Sequence, residues 1–330
     1  MTDAHGPETA GPRTQDADPT PLPVDAAARA GNAIIDNVKE VIVGHHDEIE
    51  HVLTAVLADG HVLVEDVPGV GKTMLARALS RSIDCSFSRV QFTPDLLPAD
   101  ITGVNVFNQK SREFEFRSGP VFANFVLGDE INRAPPKTQS ALLEAMAERQ
   151  VTVDGDTRRL PDPFTVVATQ NTVEGGRTYE LPMAEVDRFT KKIHLGYPDQ
   201  SEEVRMLDRV VGGHPIEELE PVTDVDTVRR ARATASAVTV NEPIREYASR
   251  LADYTRENAR LGVSPRGSIA LLRSAQARAV LDGRDYVVPD DVQSEAPTVL
   301  AHRVRVADGD ARPEAGARVV GEALESVPVE

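Results

Sequence analysis

The sequence has no tryptophan and only one cysteine, Cys85, among its 330 residues. A single thiol excludes an internal disulfide and any zinc site built from cysteines, and it leaves Cys85 as a half-buried core residue. Histidine offers no substitute. The eight histidines show no ligand spacing, and the adjacent His45 and His46 cannot chelate from one helix face. No apolar stretch approaches the ~20 residues that a membrane helix needs, and no secretory signal opens the chain. These absences predict a cytoplasmic protein without membrane insertion. Lysine is scarce, six against thirty arginines, while Asp and Glu number 53 and the net charge is −17. That charge argues against a broad electrostatic grip on nucleic acid, which needs Lys and Arg to neutralise phosphates, although it leaves room for a local basic patch. The acidic balance matches proteins of a high-salt cytoplasm, where a dense negative surface aids solubility; a GC-rich genome would by itself account for Arg over Lys.

A chain of this length suits two domains, since domains usually run ~100–200 residues. The opening stretch is rich in Pro, Asp, Thr and Ala without periodicity, so residues 1–24 are expected to be a disordered tail. Helical spacing of apolar residues predicts helices over 25–41 and 46–58, the second with Ile49, Val52, Leu53 and Val56 on its apolar face. A turn at Val43-Gly44-His45 joins them. Strands and helices then alternate: strand 61–65, helix 72–81, strand 87–92, strand 125–129, helix 137–148, strand 164–169 and strand 192–195. Apolar runs such as Val126-Leu127 and Val166-Val167-Ala168 are what a parallel sheet covered on both faces requires. Two hairpins interrupt the pattern, 104–107 with 113–117, and 151–153 with 157–160 around the turn signal Asp154-Gly155-Asp156. After Gly196-Tyr197-Pro198 the strand signals stop, and helices are predicted over 202–211, 225–237, 243–257, 268–281 and 290–304. The expected organisation is an α/β domain over 25–198, then a small all-helical domain over 199–330 that ends in a short tail.

The strand at 61–65 runs into Asp66-Val67-Pro68-Gly69-Val70-Gly71-Lys72-Thr73, a phosphate-binding loop whose helix opens with Met74. The glycines let the backbone curl so that the N–H groups from Val67 to Met74, with Pro68 shaping the bend, face phosphate oxygens. Lys72 supplies a point charge for the β/γ-phosphates and Thr73 a hydroxyl for Mg²⁺. The strict pattern G-x-x-x-x-G-K-[ST] is not met, because Asp66 stands where its first glycine belongs. A bare Gly-Lys-Thr is weak on its own; a Gly-rich turn without a ligand would look the same. Weight comes from a second run, Phe125-Val126-Leu127-Gly128-Asp129-Glu130. Asp129, ending a buried strand, suits the same Mg²⁺ through its water shell, and Glu130 suits polarising an attacking water. The two runs read as halves of a nucleoside-triphosphate hydrolysis site.

Residues 119–150, which contain Asp129-Glu130-Ile131-Asn132-Arg133-Ala134-Pro135-Pro136-Lys137-Thr138-Gln139, resemble the signature of MoxR-type AAA+ ATPases. Residues 92–103 and Ala168-Thr169-Gln170-Asn171 do so as well, and the similarity runs over about 35–310. The resemblance implies an AAA+ P-loop parallel sheet sandwiched by helices and followed by an all-helical lid. It makes Val43 and Gly44 part of the turn that holds the adenine base. Asn171 matches the sensor-1 residue that orients the lytic water, with Thr172 replacing the proline that usually follows. Arg188, in Val186-Asp187-Arg188-Phe189, matches the arginine finger that reaches a neighbouring subunit, and Arg133 is the second candidate. Met183-Ala184-Glu185 departs from the usual Glu-Ala-Gln just before it. Arg266, in Gly262-Val263-Ser264-Pro265-Arg266, matches sensor 2, which the lid carries onto bound nucleotide. A turn asparagine and two arginines at helix ends remain the plain alternatives. The hairpins match insertions that contact substrates or partners, or else cover a sheet edge.

The function implied is a Mg²⁺-dependent ATP hydrolase working as a homo-oligomeric ring, a hexamer. The resemblance couples its hydrolysis to chaperone-like remodelling, maturation or activation of partner proteins, including ones with von Willebrand factor A domains. No nucleic-acid partner is expected. Two other classes fit less of the sequence: a nucleic-acid-directed AAA+ motor, and a nucleotide-switched binding module without turnover. The magnesium-chelatase motor subunit is a close relative within the leading class.

Overall fold

The structure, a computed structural model, describes residues 19–67, 69–171, 179–211, 215–306 and 314–329. Two helices open it, α1 (Val24–Lys39) and α2 (His46–Leu57), which bury Ile34, Ile35, Val38 and Ile49, Val52, Leu53, Val56 at helical spacing. The α/β part follows as β1 (Val62–Asp66), α3 (Lys72–Ser82), β2 (Phe87–Gln91), α4 (Pro98–Thr102), β3 (Gly103–Asn108), β4 (Glu113–Ser118), β5 (Phe125–Asp129), α5 (Pro136–Glu148), β6 (Gln150–Val153), β7 (Asp156–Arg159), β8 (Thr165–Asn171), α6 (Met183–Val186) and β9 (Lys191–Ile193). Helices complete the chain: α7 (Gln200–Val210), α8 (Pro215–Glu218), α9 (Val225–Ala237), α10 (Glu242–Asn258), α11 (Pro265–Leu281), α12 (Pro289–Leu300) and α13 (Ala315–Ser326).

Five strands form one sheet in the order β2-β5-β8-β1-β9, with every pairing parallel. Side chains alternate between its faces, and both faces are covered. Val62, Val64, Phe125, Leu127 and Val167 join one buried cluster, while Leu63, Val126, Val166 and Ala168 join another on the other side. The first cluster runs on through α1 and α2 into Val228, Tyr247, Leu251, Leu271, Val292 and Val299 of the helical part. The helices beyond β9 are therefore packed behind the sheet through α1 and α2.

The two hairpins stand apart as two-stranded sheets. Asp154 (φ 52°) and Gly155 (φ 91°) make the two-residue turn with both residues left-handed, which suits the twist of a tight hairpin. The hairpins are fastened to each other: Asn105 Nδ2 donates to Asp154 Oδ2 (2.9 Å), and the Arg158 guanidinium lies 4.1 Å over the Phe116 ring.

Five elements depart from the periodicity reading. Helices α4, α6 and α8, of four or five residues, are too short for a 3.6-residue period to register. The expected helix over 290–304 ends at Leu300, and a further helix, α13, packs Val319, Val320 and Ala323 onto the core where only the end of the lid and a tail were expected. Of the expected tail, residues 1–18 lie outside the described residues. The chain is already held ahead of α1, because the carbonyls of Thr20 and Leu22 accept from Arg230 Nε (3.1 Å) and Thr234 Oγ1 (2.9 Å) of α9.

A buried ion pair joins the sheet to the helical part. Lys191 of β9 and Glu295 of α12, neither with any exposed side-chain surface, are paired; Lys191 Nζ also donates to Thr54 Oγ1 of α2, and His51 Nδ1 of the same helix lies 3.2 Å from Nζ and 3.5 Å from Glu295 Oε1. Burial works against the Glu295 carboxylate, but Lys191 and His51 outweigh it and leave its pKa below the ordinary carboxylate value. Removing one partner strands the other charge in the core. Glu295→Ala is expected to destabilise the fold by about 3–5 kcal/mol, and the double replacement Lys191→Met, Glu295→Leu to recover most of that loss. Urea unfolding followed by circular dichroism measures both; equal loss in single and double variants would refute the stranded-charge account.

Candidate nucleotide site

The loop between β1 and α3 curls on two glycines, Gly69 (φ 90°) and Gly71 (φ 96°), and a Cβ on either would meet no atom within 4 Å. Their need is thus conformational, since L side chains avoid this φ, and the concave side of the loop is left open. Pro68 lies outside the described residues. Lys72 opens α3 and is 7% exposed. Its Nζ donates to the carbonyls of Asp66 and Val67 and to Asn171 Oδ1, each at 3.1 Å. Burial lowers its pKa below the usual lysine value, against the opposing pull of Asp66, Asp129 and Glu130. Val67, Val70, Thr73 and Met74 are half-buried around it. An open loop at the start of an eleven-residue helix, with a cation at its mouth, is suited to an anion.

Register brings the acidic pair to the same place. Gln91 pairs with Asp129, and Asp66 with Asn171, so the C-terminal ends of β2, β5, β8 and β1 share one sheet edge. Asp129 Oδ1 accepts from Thr169 Oγ1 (2.7 Å), and Oδ2 accepts from the half-exposed Arg89 (Nη2 2.5 Å, Nε 3.2 Å). Glu130 follows with left-handed backbone (φ 56°, ψ 50°), uncommon for a residue with a side chain and a conformation that concentrates at working sites. Its Oε1 accepts from Asn171 Nδ2 (2.7 Å), and Oε2 accepts from Gln91 Nε2 and Arg133 Nη1 (both 2.7 Å). Asn171 therefore touches Lys72 with its oxygen and Glu130 with its nitrogen, joining the two sequence motifs in one hydrogen-bonded chain. Gln91 and Arg89 escape a motif reading. Their only signal is position, at or near the C-terminal ends of parallel strands.

For Mg²⁺ the donor set is suitable. The Thr73 hydroxyl and the Asp129 carboxylate are hard oxygen ligands, and the guanidinium on Asp129 Oδ2 shows that this carboxylate faces a cation.

The remaining arginines are placed elsewhere. Arg188 and Arg266 line a cavity of about 270 Å³ together with Arg149, Arg273, Gly60 and His61. Gly60 and His61 precede β1, so this cavity lies at the edge of the sheet opposite the phosphate loop. The five residues of β1 span roughly 17 Å. Arg266, expected to be carried by the lid onto bound nucleotide, is at this far edge, because the helical part packs behind the sheet and turns the start of α11 there. Asp187 ties this cluster together. It accepts from Ser264 Oγ at the start of α11 (3.2 and 3.1 Å) and from Arg303 Nε (2.8 Å), while Arg188 Nη1 donates to the Leu143 carbonyl (2.7 Å). Burial pushes the His61 imidazole down to about 3; its Nδ1 accepts from the Val166 N–H (3.0 Å), so Nε2 carries the proton toward the Met146 carbonyl (3.1 Å). Arg133, bonded to Glu130 of its own chain, is on the phosphate-loop edge instead.

The turn at Val43 and Gly44 is half-buried, with Glu202 of α7 against it: a Cβ on Gly44 would lie 2.5 Å from Glu202 Oε1. Thr172 lies outside the described residues.

Known proteins resemble this chain over most of its length. Residues 61–191 match the ATPase family associated with various cellular activities (AAA), and residues 251–324 match the AAA lid domain. The chain is 53% identical to the uncharacterized protein YeaC of Bacillus subtilis over 272 residues, 82% of this chain and 85% of that protein. It is 42% identical to chaperone MoxR1 of Mycobacterium tuberculosis over 281 residues, 82% of this chain and 74% of that one. A crystal structure of a candidate ATPase from Cytophaga hutchinsonii superposes with a TM-score of 0.85 at 38% identity, covering 92% of this chain and 97% of the other. With a phosphate loop, an acidic strand end and a helical lid in one chain, and relatives of this closeness over most of its length, the protein belongs to the MoxR family of AAA+ ATPases.

Proposed function

We propose that this chain hydrolyses ATP with Mg²⁺ as part of a ring of identical subunits, a hexamer, and uses the cycle for chaperone-like remodelling or activation of partner proteins. The observation that carries the reading is the Lys72–Asn171–Glu130 chain at one edge of the sheet, with Arg188 and Arg266 at the other. Residues 25–198 form the nucleotide-binding part and 199–330 the lid. The name of the mycobacterial relative supports the chaperone role. Family resemblance supports partners with von Willebrand factor A domains, and the composition supports a cytoplasmic setting.

The chain's own groups divide the work. Loop N–H groups and Lys72 hold the triphosphate, and Val43 and Gly44 face the base. Mg²⁺, when bound through Thr73 and Asp129, neutralises phosphate charge. Glu130 is engaged by three donors, which occupy the oxygens that would take a proton from water. A γ-phosphate is a stronger acceptor for Lys72 Nζ than the Asn171 amide oxygen is, and it offers Asn171 Nδ2 an anionic acceptor besides Glu130. When Asn171 turns to it, Oε1 of Glu130 is released to polarise water. Arg188 and Arg266 lie too far along β1 to meet their own phosphate, so they serve a neighbour's.

Lys72→Ala is expected to remove measurable ATP binding in calorimetry, because the phosphate charge is left uncompensated in a half-dry site; undiminished affinity would overturn the phosphate-loop assignment. Glu130→Gln keeps shape and reach but removes the base, so ATP should bind and not be cleaved in a phosphate-release assay. Turnover at the parent rate would reduce Glu130 to a strand-end carboxylate.

Arg188→Ala should leave affinity nearly unchanged while turnover falls by ~10³ or more, since the guanidinium meets charge that develops in the transition state. Mixing Arg188→Ala with Lys72→Ala should restore part of the rate, because some interfaces pair an intact pocket with an intact arginine. If mixed rings form and stay dead while Arg133→Ala mixtures recover, the finger is Arg133.

A further inference from the structure

We infer that Asp66 is a positioning residue for the nucleotide, fastening the phosphate loop to the turn that leads into α7; this rests on the nucleotide-site reading above. A strict phosphate loop has glycine at this position, yet here a carboxylate ends β1 at 8% exposure. Its Oδ1 accepts from the Val67 N–H (2.7 Å), and its Oδ2 accepts from the N–H groups of Leu195 (2.7 Å) and Gly196 (2.6 Å). These are short, charge-assisted bonds to an almost dry carboxylate. They begin where the ladder stops, since β1 pairs with β9 only as far as Val64 opposite Ile193. Asp66 thus takes over from the sheet as the acceptor for the departing chain, while its backbone carbonyl accepts from Lys72 (3.1 Å).

The turn it holds leads directly to the base end of the site. Asp199, three residues after Gly196, caps α7 by accepting from the Glu202 N–H (2.8 Å). Helix α7 buries none of its described side chains. Its hold on the body includes Arg209, whose Nη1 donates to the carbonyls of Lys39 (2.7 Å) and Glu40 (2.8 Å), and Glu202 against Gly44. One continuous route therefore runs from the phosphate loop through Asp66, Leu195 and Gly196 into α7 and on to the Val43-Gly44 turn. A helix anchored this lightly follows its stem, and Asp66 holds the stem to the phosphate loop.

The test is ADP affinity of the full chain by calorimetry, with hydrogen exchange at the amides of Leu195 and Gly196. Asp66→Gly restores the strict loop glycine and removes a negative charge beside the phosphates, so a view based on sequence pattern or charge alone expects tighter binding. We expect binding at least tenfold weaker. Asp66→Asn keeps the shape but offers a single acceptor oxygen to three N–H groups, and should weaken ADP about threefold or more. In the parent, ADP should raise protection at Leu195 and Gly196 together with α3; in Asp66→Asn the gain should persist in α3 and vanish at the two amides. A merely structural aspartate would lower melting temperature without separating those two responses. If Asp66→Gly does not fold, the Asn variant decides. Equal or tighter ADP binding in a folded variant, or retained ADP-induced protection at Leu195 and Gly196 in Asp66→Asn, overturns the proposal while leaving the nucleotide reading intact. A parent that binds no ADP sinks both.

Discussion

Parallel pairing is the constraint on which the rest of the molecule depends. Strands that run the same way end on the same edge, and four of them end here in Gln91, Asp129, Asn171 and Asp66. None of these side chains is near the others in sequence; backbone register alone brings them together. A slip of one residue would turn each to the other face of the sheet, where both faces are already filled. The filled faces thus protect the site. With register secured, a loop on two left-handed glycines delivers Lys72 to Asn171, and Asn171 to Glu130, across the ends of three strands.

The opposite edge is organised by how the helical part is docked. Its core is continuous with that of the sheet through α1 and α2, and the Lys191–Glu295 pair marks the junction of β9 with α12. A buried pair of this kind contributes little net stability compared with apolar residues of the same size, but an ion pair in the wrong place is costly, so it suits the selection of one docking arrangement. That arrangement turns the start of α11 toward Asp187, where Ser264 and Arg303 grip the carboxylate between Val186 and Arg188. Arg188 and Arg266 then share a platform built from both halves of the chain. On the proposed function, phosphate recognition on one edge and arginines on the other would give a subunit the two complementary faces that a closed ring of copies requires.

Much of this was legible in the residues because it is local. Helices with apolar stripes, buried strands with unbroken apolar runs, and an Asp-Gly hairpin turn all declare themselves within a few residues. Helix α13 was less evident: Ala315, Val319, Val320 and Ala323 recur at helical spacing, but Gly316 and Gly321 lower the helix propensity of the stretch. Helices α4, α6 and α8 are shorter than the pattern that would reveal them. Gln91 carries no motif of its own, and register alone makes it a partner of Glu130.

By itself, the amino-acid sequence determined the phosphate loop, the Asp129-Glu130 strand end, the alternation that makes a parallel sheet, and the change to helices after Pro198. Each is set by neighbours within a dozen residues, through backbone freedom, side-chain period or turn chemistry. Tertiary structure decided which edge Arg266 faces, that Arg133 rests on its own Glu130 while Arg188 does not, and what an aspartate does in a glycine's place. The partners of Asp66 at Leu195 and Gly196 lie 129 and 130 residues away. No local pattern encodes such a contact; it exists only because parallel strands far apart in sequence end side by side.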